Sequence, residues 1–524
     1  MARMVPEIEN KPIIGRQLFD IITSGMYDNP LMVYREYIQN AVDAIDLAID
    51  GEVLALEDAR ISITLNGQDR TIIIQDNGHG LSNSTAHSTL TNLGCSPKEN
   101  QNQRGFRGIG RLGGLAYCDE LVFETRSSEN ELVSVVRWNR KEFDSVAADT
   151  RQDITLQEMI ETVAVLDYEE PLETTPAHFF RVTLHNVHRF HSDMLMNIKS
   201  VNDYLAQSAP VPYNKQSFAY ADKIEQFLSK VNNYRSYNIS VNGRQVFRPY
   251  LDEIKLSTNQ SDYISEVEFI EFKSNEPEAE PIALGWYAKT SFLATLPSSL
   301  NVKGIRVRQG NIEVGGEHFL DDKFSESRFS GWQIGEIHVV NGKLKPNARR
   351  DGFEHTPGFE KFLEQSHLLG RHLSSLCRKH SNTRIASSRI QGSLVQLEKL
   401  FNNPLTYIDD EHYKQAVKDA HTILENIEKI STKGVSDDLV QRLEVIKNRM
   451  AGYNHKPVLL DHVLDKRKLN KFNQKSLLKH IAKSIIANYD SSKSAEDILQ
   501  QIFDEFTKPT YANHKVNSGT ASPK

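Results

Sequence analysis

Residues 33–45 read VYREYIQNAVDAI. Val33, Tyr37, Ile38, Val42 and Ile45 recur at helical spacing and can cover the buried side of a helix. Glu36, Asn40 and Asp43, with Ala44 behind them, fall at i, i+4 and i+7 on a second face. A carboxylate one turn from a carboxamide suits two tasks. Glu36 can orient and deprotonate a water, and the Asn40 oxygen can ligate Mg2+, a hard cation that prefers oxygen. Taken alone, the pattern also describes an ordinary solvated helix face. The apolar spacing of residues 18–49 is broken at residues 27–30, which predicts two helices.

Two glycine-bearing segments follow. TIIIQDNGHG (71–80) places Asp76 at the end of an apolar strand, where it can accept a hydrogen bond from an exocyclic amine such as that of adenine. Gly78 and Gly80 let backbone approach a ligand closely. This strand closes a hairpin over residues 61–78 that turns at Asn66 and Gly67. GFRGIGRLGGLAYC (105–118) places Gly105, Gly108 and Gly110 before a helical pattern. Such a turn presents N–H groups and a positive helix end to phosphate. It does not follow a strand as a dinucleotide fingerprint does, and it lacks the Gly-Lys-Ser/Thr of a Walker loop. Each segment alone also describes a plain turn. In this order, within about 75 residues, they read as one nucleotide site.

Together the segments resemble the N-box and the two glycine boxes of the GHKL ATPase superfamily. That group covers the ninety-kilodalton heat-shock chaperones, MutL, type II topoisomerase ATPase subunits, MORC proteins and histidine kinases. Residues 18–48 are similar to the first two helices of the heat-shock chaperones, and LTNLGCSPKENQNQRGFRGIG (90–110) is similar to their loop and lid. The resemblance implies ATP as cofactor, Glu36 as base and Mg2+ on Asn40. It implies nucleotide contacts for Asp43, Asp76, Gly78, Gly80, Asn92 and the lid Lys98. Gly105, Arg107, Gly108, Ile109 and Gly110 would follow the phosphates. One departure stands out. The Thr that the chaperones carry on a late strand falls on Phe180, and Thr183 should face the other side of that strand. The boxes lie at the N-terminal end, which argues against a histidine kinase.

Composition bounds the rest. The chain has 524 residues, enough for about three domains, with 39% hydrophobic and 25% charged residues. The net charge of -7 argues against a chain-wide polyanion-binding surface. Cys95, Cys118 and Cys377 are too few and too scattered for a disulfide scaffold or a Cys-rich zinc module. The first residues lack the apolar core of a signal peptide, and no apolar run reaches about 18 residues. No membrane contact and a cytoplasmic location are therefore expected.

Patterns and resemblance combine into an α+β expectation. Residues 1–195 would form a Bergerat α/β sandwich, with residues 82–114 as a mobile loop. Residues 196–362 would form a ribosomal-protein-S-five-like α/β domain, beginning where a short helix ends at Pro210 and Pro212. Residues 363–508 would be all helical and residues 509–524 a flexible tail. KPNARRDGF (345–353) resembles the chaperones' middle-domain catalytic loop, which implies Arg350, or else Arg349 or Lys345, on the γ-phosphate. The same residues also describe a basic turn paired with Asp351 and Glu354. Residues 455–484 are locally basic through Lys466, Arg467, Lys468, Lys471, Lys475, Lys479 and Lys483. They could touch DNA, although a solvated helix face is the simpler reading. The expected function is an ATP-driven, homodimeric, chaperone-like clamp acting on a protein client. The alternatives are a DNA-associated MutL- or MORC-like clamp in genome or antiviral defence, and a non-hydrolysing ATP switch.

Overall fold

A computed structural model describes residues 29–92, 110–148, 155–189, 192–231, 234–274, 280–340, 342–347, 349–402 and 410–451, with two isolated positions beyond them. The chain divides into two compact units between Cys377 and Arg378. The first of the two predicted helices, the basic run near residue 470 and the expected tail lie outside the described residues.

The helix α1 (Met32–Asp50) buries Val33, Tyr37, Ile38, Val42 and Ile45, as the spacing predicts. Asn29 sets its start, accepting a hydrogen bond from the Leu31 N–H at 3.0 Å. β1 (Arg60–Asn66) and β2 (Thr71–Asp76) form the predicted hairpin, with Ile63 opposite Ile74. Ile61, Ile63, Ile72 and Ile74 pack with α1 in one core, so Ser62 and Gln75 face the other side.

The expected loop at 82–114 is not a loop throughout. Asn83–Thr91 forms a helix, α2, and Gly110–Tyr117 a 3-10 helix. Ala86 and Leu90, one turn apart, are buried, and that burial outweighs the weak helix propensity of its Ser, Thr and Asn residues. β3 (Glu120–Arg126), β4 (Val133–Asn139), β5 (Ala164–Glu169) and β6 (Phe179–His185) complete the N-terminal strands, with α3 (Arg140–Ala148) and α4 (Leu156–Val163) between β4 and β5.

The first sheet runs past the division expected at 195. After α5 (Ile198–Ser208) and α6 (Ala221–Leu228), β7 (Asn238–Val241) pairs in parallel with β1, and β8 (Arg244–Gln245) follows. The sheet order is β5-β4-β3-β6-β2-β1-β7-β8. A hairpin of β9 (Glu253–Ser257) and β10 (Gln260–Tyr263) leads to a second, five-stranded sheet. Its strands are β11 (Glu266–Phe272), β12 (Ala283–Lys289), β13 (Gly304–Gln309), β14 (Ile312–Val314) and β15 (Ile334–Val339), in the order β11-β12-β15-β13-β14. In the second unit, the later part of α7 (Pro357–Asn402), α8 (Asp410–Glu428) and α9 (Asp437–Ala451) share a core that includes Ile390, Leu394, Leu424 and Leu443.

A buried charge cluster ties α5 to the second sheet. Glu336 is fully buried and accepts from Arg308 Nε at 2.8 Å, Tyr213 at 2.6 Å and Tyr250 at 3.0 Å. Arg308 also donates to the Gln207 carbonyl and side chain, at 2.5 and 2.6 Å. Burial alone would raise the Glu336 carboxyl, but Arg308, then Arg248 and His338, hold it well below the usual carboxylate range. A depressed folded-state pKa contributes stability above the ordinary Glu value near 4.5, and that stability is lost as pH falls through it. Glu336→Ala strands two buried guanidinium groups and is expected to cost about 3–5 kcal/mol in urea unfolding at pH 7. The difference from wild type should shrink in acid.

Candidate functional site

The site is assembled on α1. At its centre Glu36 is partly buried, and Arg35 beside it is 3.4 Å from the Glu36 carboxylate. Asn40, one turn on, stays partly exposed, and Asp43 is buried. Both glycine segments pack directly on this helix. A Cβ on Gly78 would stand 2.6 Å from the Ala44 carbonyl carbon and 2.7 Å from the Ile45 nitrogen. The next residue, His79, donates its N–H to the Ala44 carbonyl at 3.0 Å. A Cβ on Gly110 would stand 2.4 Å from Glu36 Oε2. Glu36 and Ala44 are eight residues apart, about 12 Å along the helix axis. One glycine segment therefore sits at each end of a short track on α1.

Asp76 marks the Ala44 end. It lies on the α1 side of β2, buried, and its Oδ1 accepts from the Gly78 N–H at 2.8 Å. Burial pushes its carboxyl up to about 8, against the smaller opposing pull of the Gly78 hydrogen bond. A polar donor reaching this carboxyl would relieve its desolvation. Across the sheet, Phe180 stands directly opposite Asp76, and Thr183 opposite Ile73, on the other face. The Phe180 ring packs 5.9 Å from Phe123. The Asp76 end of the track is therefore walled by an aromatic ring. Gly80 is held with φ of +70° and so close to Arg126 that a Cβ would stand 2.0 Å from its carbonyl oxygen.

At the Glu36 end, Tyr37 donates its hydroxyl to the Arg111 carbonyl at 3.0 Å and accepts from the Gly114 N–H at 3.1 Å. Asn92 is exposed at the end of α2, where its N–H donates to the Ser88 carbonyl. Lys98, Gly105, Arg107, Gly108 and Ile109 lie outside the described residues.

Arg349 comes to the same end of α1. Arg35 donates to the Arg349 carbonyl at 3.2 Å, a contact between residues 314 positions apart. Arg350 is 8% exposed and left-handed, with φ of +56°. Its carbonyl accepts from the Gly315 N–H at 3.0 Å. The Arg349 side chain is exposed, and Lys345 pairs with Glu354 at 3.3 Å. Asn347 donates to Asp351 at 2.5 Å. The basic turn is thus internally paired at Lys345 and joined to α1 at Arg349, with Arg350 buried between. Sequence reasoning passed over Arg35 and gave Tyr37 only a place on the buried side of the helix. An Arg beside a Glu, and a Tyr on the apolar side of a helix, carry no local signal of these long-range contacts.

Residues 30–169 match the family described as histidine kinase-, DNA gyrase B-, and HSP90-like ATPase. The chain is similar to the chaperone protein HtpG of Acinetobacter baylyi, 30% identical over 140 residues, covering 23% of this chain and 22% of that protein. It is also similar to HtpG of Chlorobium chlorochromatii, 31% identical over 134 residues and 21% of each chain. HtpG of Chlorobium phaeobacteroides is 33% identical over 135 residues, 22% of this chain and 21% of that protein. The similarity thus spans about a fifth of the length of these relatives.

Proposed function

We propose that the chain binds ATP with Mg2+ and hydrolyses it to ADP and phosphate, a reading supported by the match of residues 30–169 to the histidine kinase-, DNA gyrase B-, and HSP90-like ATPase family and by the similarity to HtpG chaperones. We propose further that turnover drives chaperone-like remodelling of a protein client. The observation that carries this reading is the packing of both glycine segments on one helix, Gly78 on Ala44 and Gly110 beside Glu36. Asp76 accepts the adenine amine, which offsets the desolvation of its buried carboxyl. Asn40 is an oxygen donor with open space, one turn from Glu36, and suits Mg2+. Held by Asn40, such an ion would supply positive charge to phosphate oxygens. Glu36 orients and deprotonates the attacking water, and Arg350 carries the γ-phosphate charge. Domain closure and an ATP-dependent homodimer complete the site, so turnover is slow. The protein works in the cytoplasm; no described helix is long and apolar enough to cross a membrane.

A second reading, a DNA-associated clamp, draws on the basic run at 455–484. A third, a non-hydrolysing switch, keeps the binding roles and drops the base. Turnover of the full chain separates them. Unfolded protein is expected to raise ATP turnover and duplex DNA to leave it unchanged. Stimulation by DNA alone, fading with salt, would transfer the chain to the clamp reading. Asp76→Asn is expected to weaken ATP binding at least about tenfold, because a buried hydrogen-bond partner of the base is altered. Normal ATP binding by that variant would remove the adenine role.

A further inference from the structure

The outward face of the first sheet, turned away from α1, holds a groove of about 390 Å3. The residues that line it are polar apart from Gly243. Strand register arranges that lining in rows. Gln75 stands opposite Ser62, Ser62 opposite Ser240, and Ser240 opposite Gln245. Arg60 stands opposite Asn238 in the next row. Four strands at about 4.8 Å spacing span about 14 Å, the length of about four extended residues. The groove is thus the size of a short peptide rather than of a single ion.

The hydrogen-bonding inventory defines what fits. Gln75 Oε1 accepts from Arg181 at 2.9 Å, which leaves its amide N–H groups to donate outward. Arg60 Nε donates to the Asp58 carbonyl at 3.3 Å. Its terminal nitrogens have no partner among the described residues, and neither do the side chains of Asn238, Ser240 and Gln245. Asp76 borders the groove, but its carboxyl lies on the α1 side and accepts from Gly78. No aromatic ring lines the groove, so a stacked base has no platform. One guanidinium with open terminal nitrogens selects a planar carboxylate, held by two parallel hydrogen bonds. Gln75 offers a donor, and the carboxamides of Asn238 and Gln245 offer both a donor and an acceptor, matching peptide N–H and C=O groups.

We propose that this groove binds an extended acidic peptide segment, with one Asp or Glu carboxylate on Arg60 and the flanking backbone on Gln75, Asn238 and Gln245. β1 and β2 supply half of the groove, and β7 and β8 the other half. A bound segment therefore clamps β7 and β8 onto the first sheet. Nucleotide plays no part in this binding, so the proposal stands or falls separately from the ATPase reading.

The test is fluorescence anisotropy of a labelled peptide, Ser-Gln-Glu-Ser-Gln-Gly, with the full chain at about 50 mM salt, where surface charges are little screened. Saturable binding is expected. Arg60→Gln should weaken it about tenfold, as should changing the peptide Glu to Gln. The two changes together should cost no more than either alone, the mark of a direct pair. Asn238→Ala should weaken binding about threefold through the flanking amide. Both protein variants should melt like wild type and bind ATP equally. Absence of saturable binding, or equal affinity in Arg60→Gln, would overturn the proposal. Free glutarate binding as tightly as the peptide would also overturn it, reducing the groove to a lone anion subsite.

Discussion

Glu36→Ala is expected to lower ATP turnover by about a thousandfold and to leave ATP binding within about threefold of wild type. Two effects compete in this variant, and the geometry separates them. Gly110 packs on Glu36, and a Cβ there would press on its Oε2. Asp76 and Asn40 are separate side chains and stay in place. Loss of a proton acceptor therefore acts on the chemical step and not on base or ion binding. Single-turnover hydrolysis with excess protein reads the step directly, and equilibrium titration reads binding. Unchanged turnover with ATP bound would leave Glu36 without a role as base. Gly110→Ala provides a second arm. Its new methyl would stand 2.4 Å from the carboxylate oxygen. Either the carboxylate or the glycine segment must shift, and turnover should fall at least about tenfold. Normal turnover in that variant would show that Gly110 does not hold Glu36 in place.

The helix and hairpin that carry the candidate site were legible in the sequence, because their signals are local. Val33 to Ile45 repeat at helical spacing, and the hairpin of residues 61–78 alternates around Asn66 and Gly67. Both depend on neighbours within one element. The helix Asn83–Thr91 was hidden because its composition favours a loop, and only burial of Ala86 and Leu90 reveals it. The parallel pairing of Ile63 with Val241 was hidden for another reason. It joins strands far apart in the chain, and no periodicity reports which strands will pair. Glu336 misleads in the opposite direction. In IGEIHVVNG it reads as the solvent-facing residue of an alternating strand. It is fully buried, because Arg308 and Arg248, from other segments, satisfy its charge. Buried polar residues escape pattern reading whenever their partners are distant. Arg35 follows the same rule, since its partner Arg349 lies in the second half of the chain.

Among the three cations of residues 345–350, Arg350 is expected to carry the largest effect. Lys345 faces Glu354 and is about half exposed, so its charge is already paired and screened. The Arg349 side chain is exposed, and its contact with α1 runs through its carbonyl, which any residue supplies. Arg350 alone is buried. It also holds a backbone conformation with φ of +56°, which a non-glycine residue adopts only at a cost of about 1–2 kcal/mol. That strain persists because Gly315 and Asn347 bind its backbone. Arg350→Gly therefore makes a clean experiment. Glycine accepts the left-handed conformation without strain, so the loop keeps its path while the guanidinium is lost. Turnover should fall about a hundredfold to a thousandfold, with ATP affinity nearly unchanged. Arg349→Ala and Lys345→Ala should stay within about threefold of wild-type turnover. A hundredfold loss in Lys345→Ala instead would move the γ-phosphate contact to Lys345. Equal, small effects in all three would leave the loop a paired surface turn.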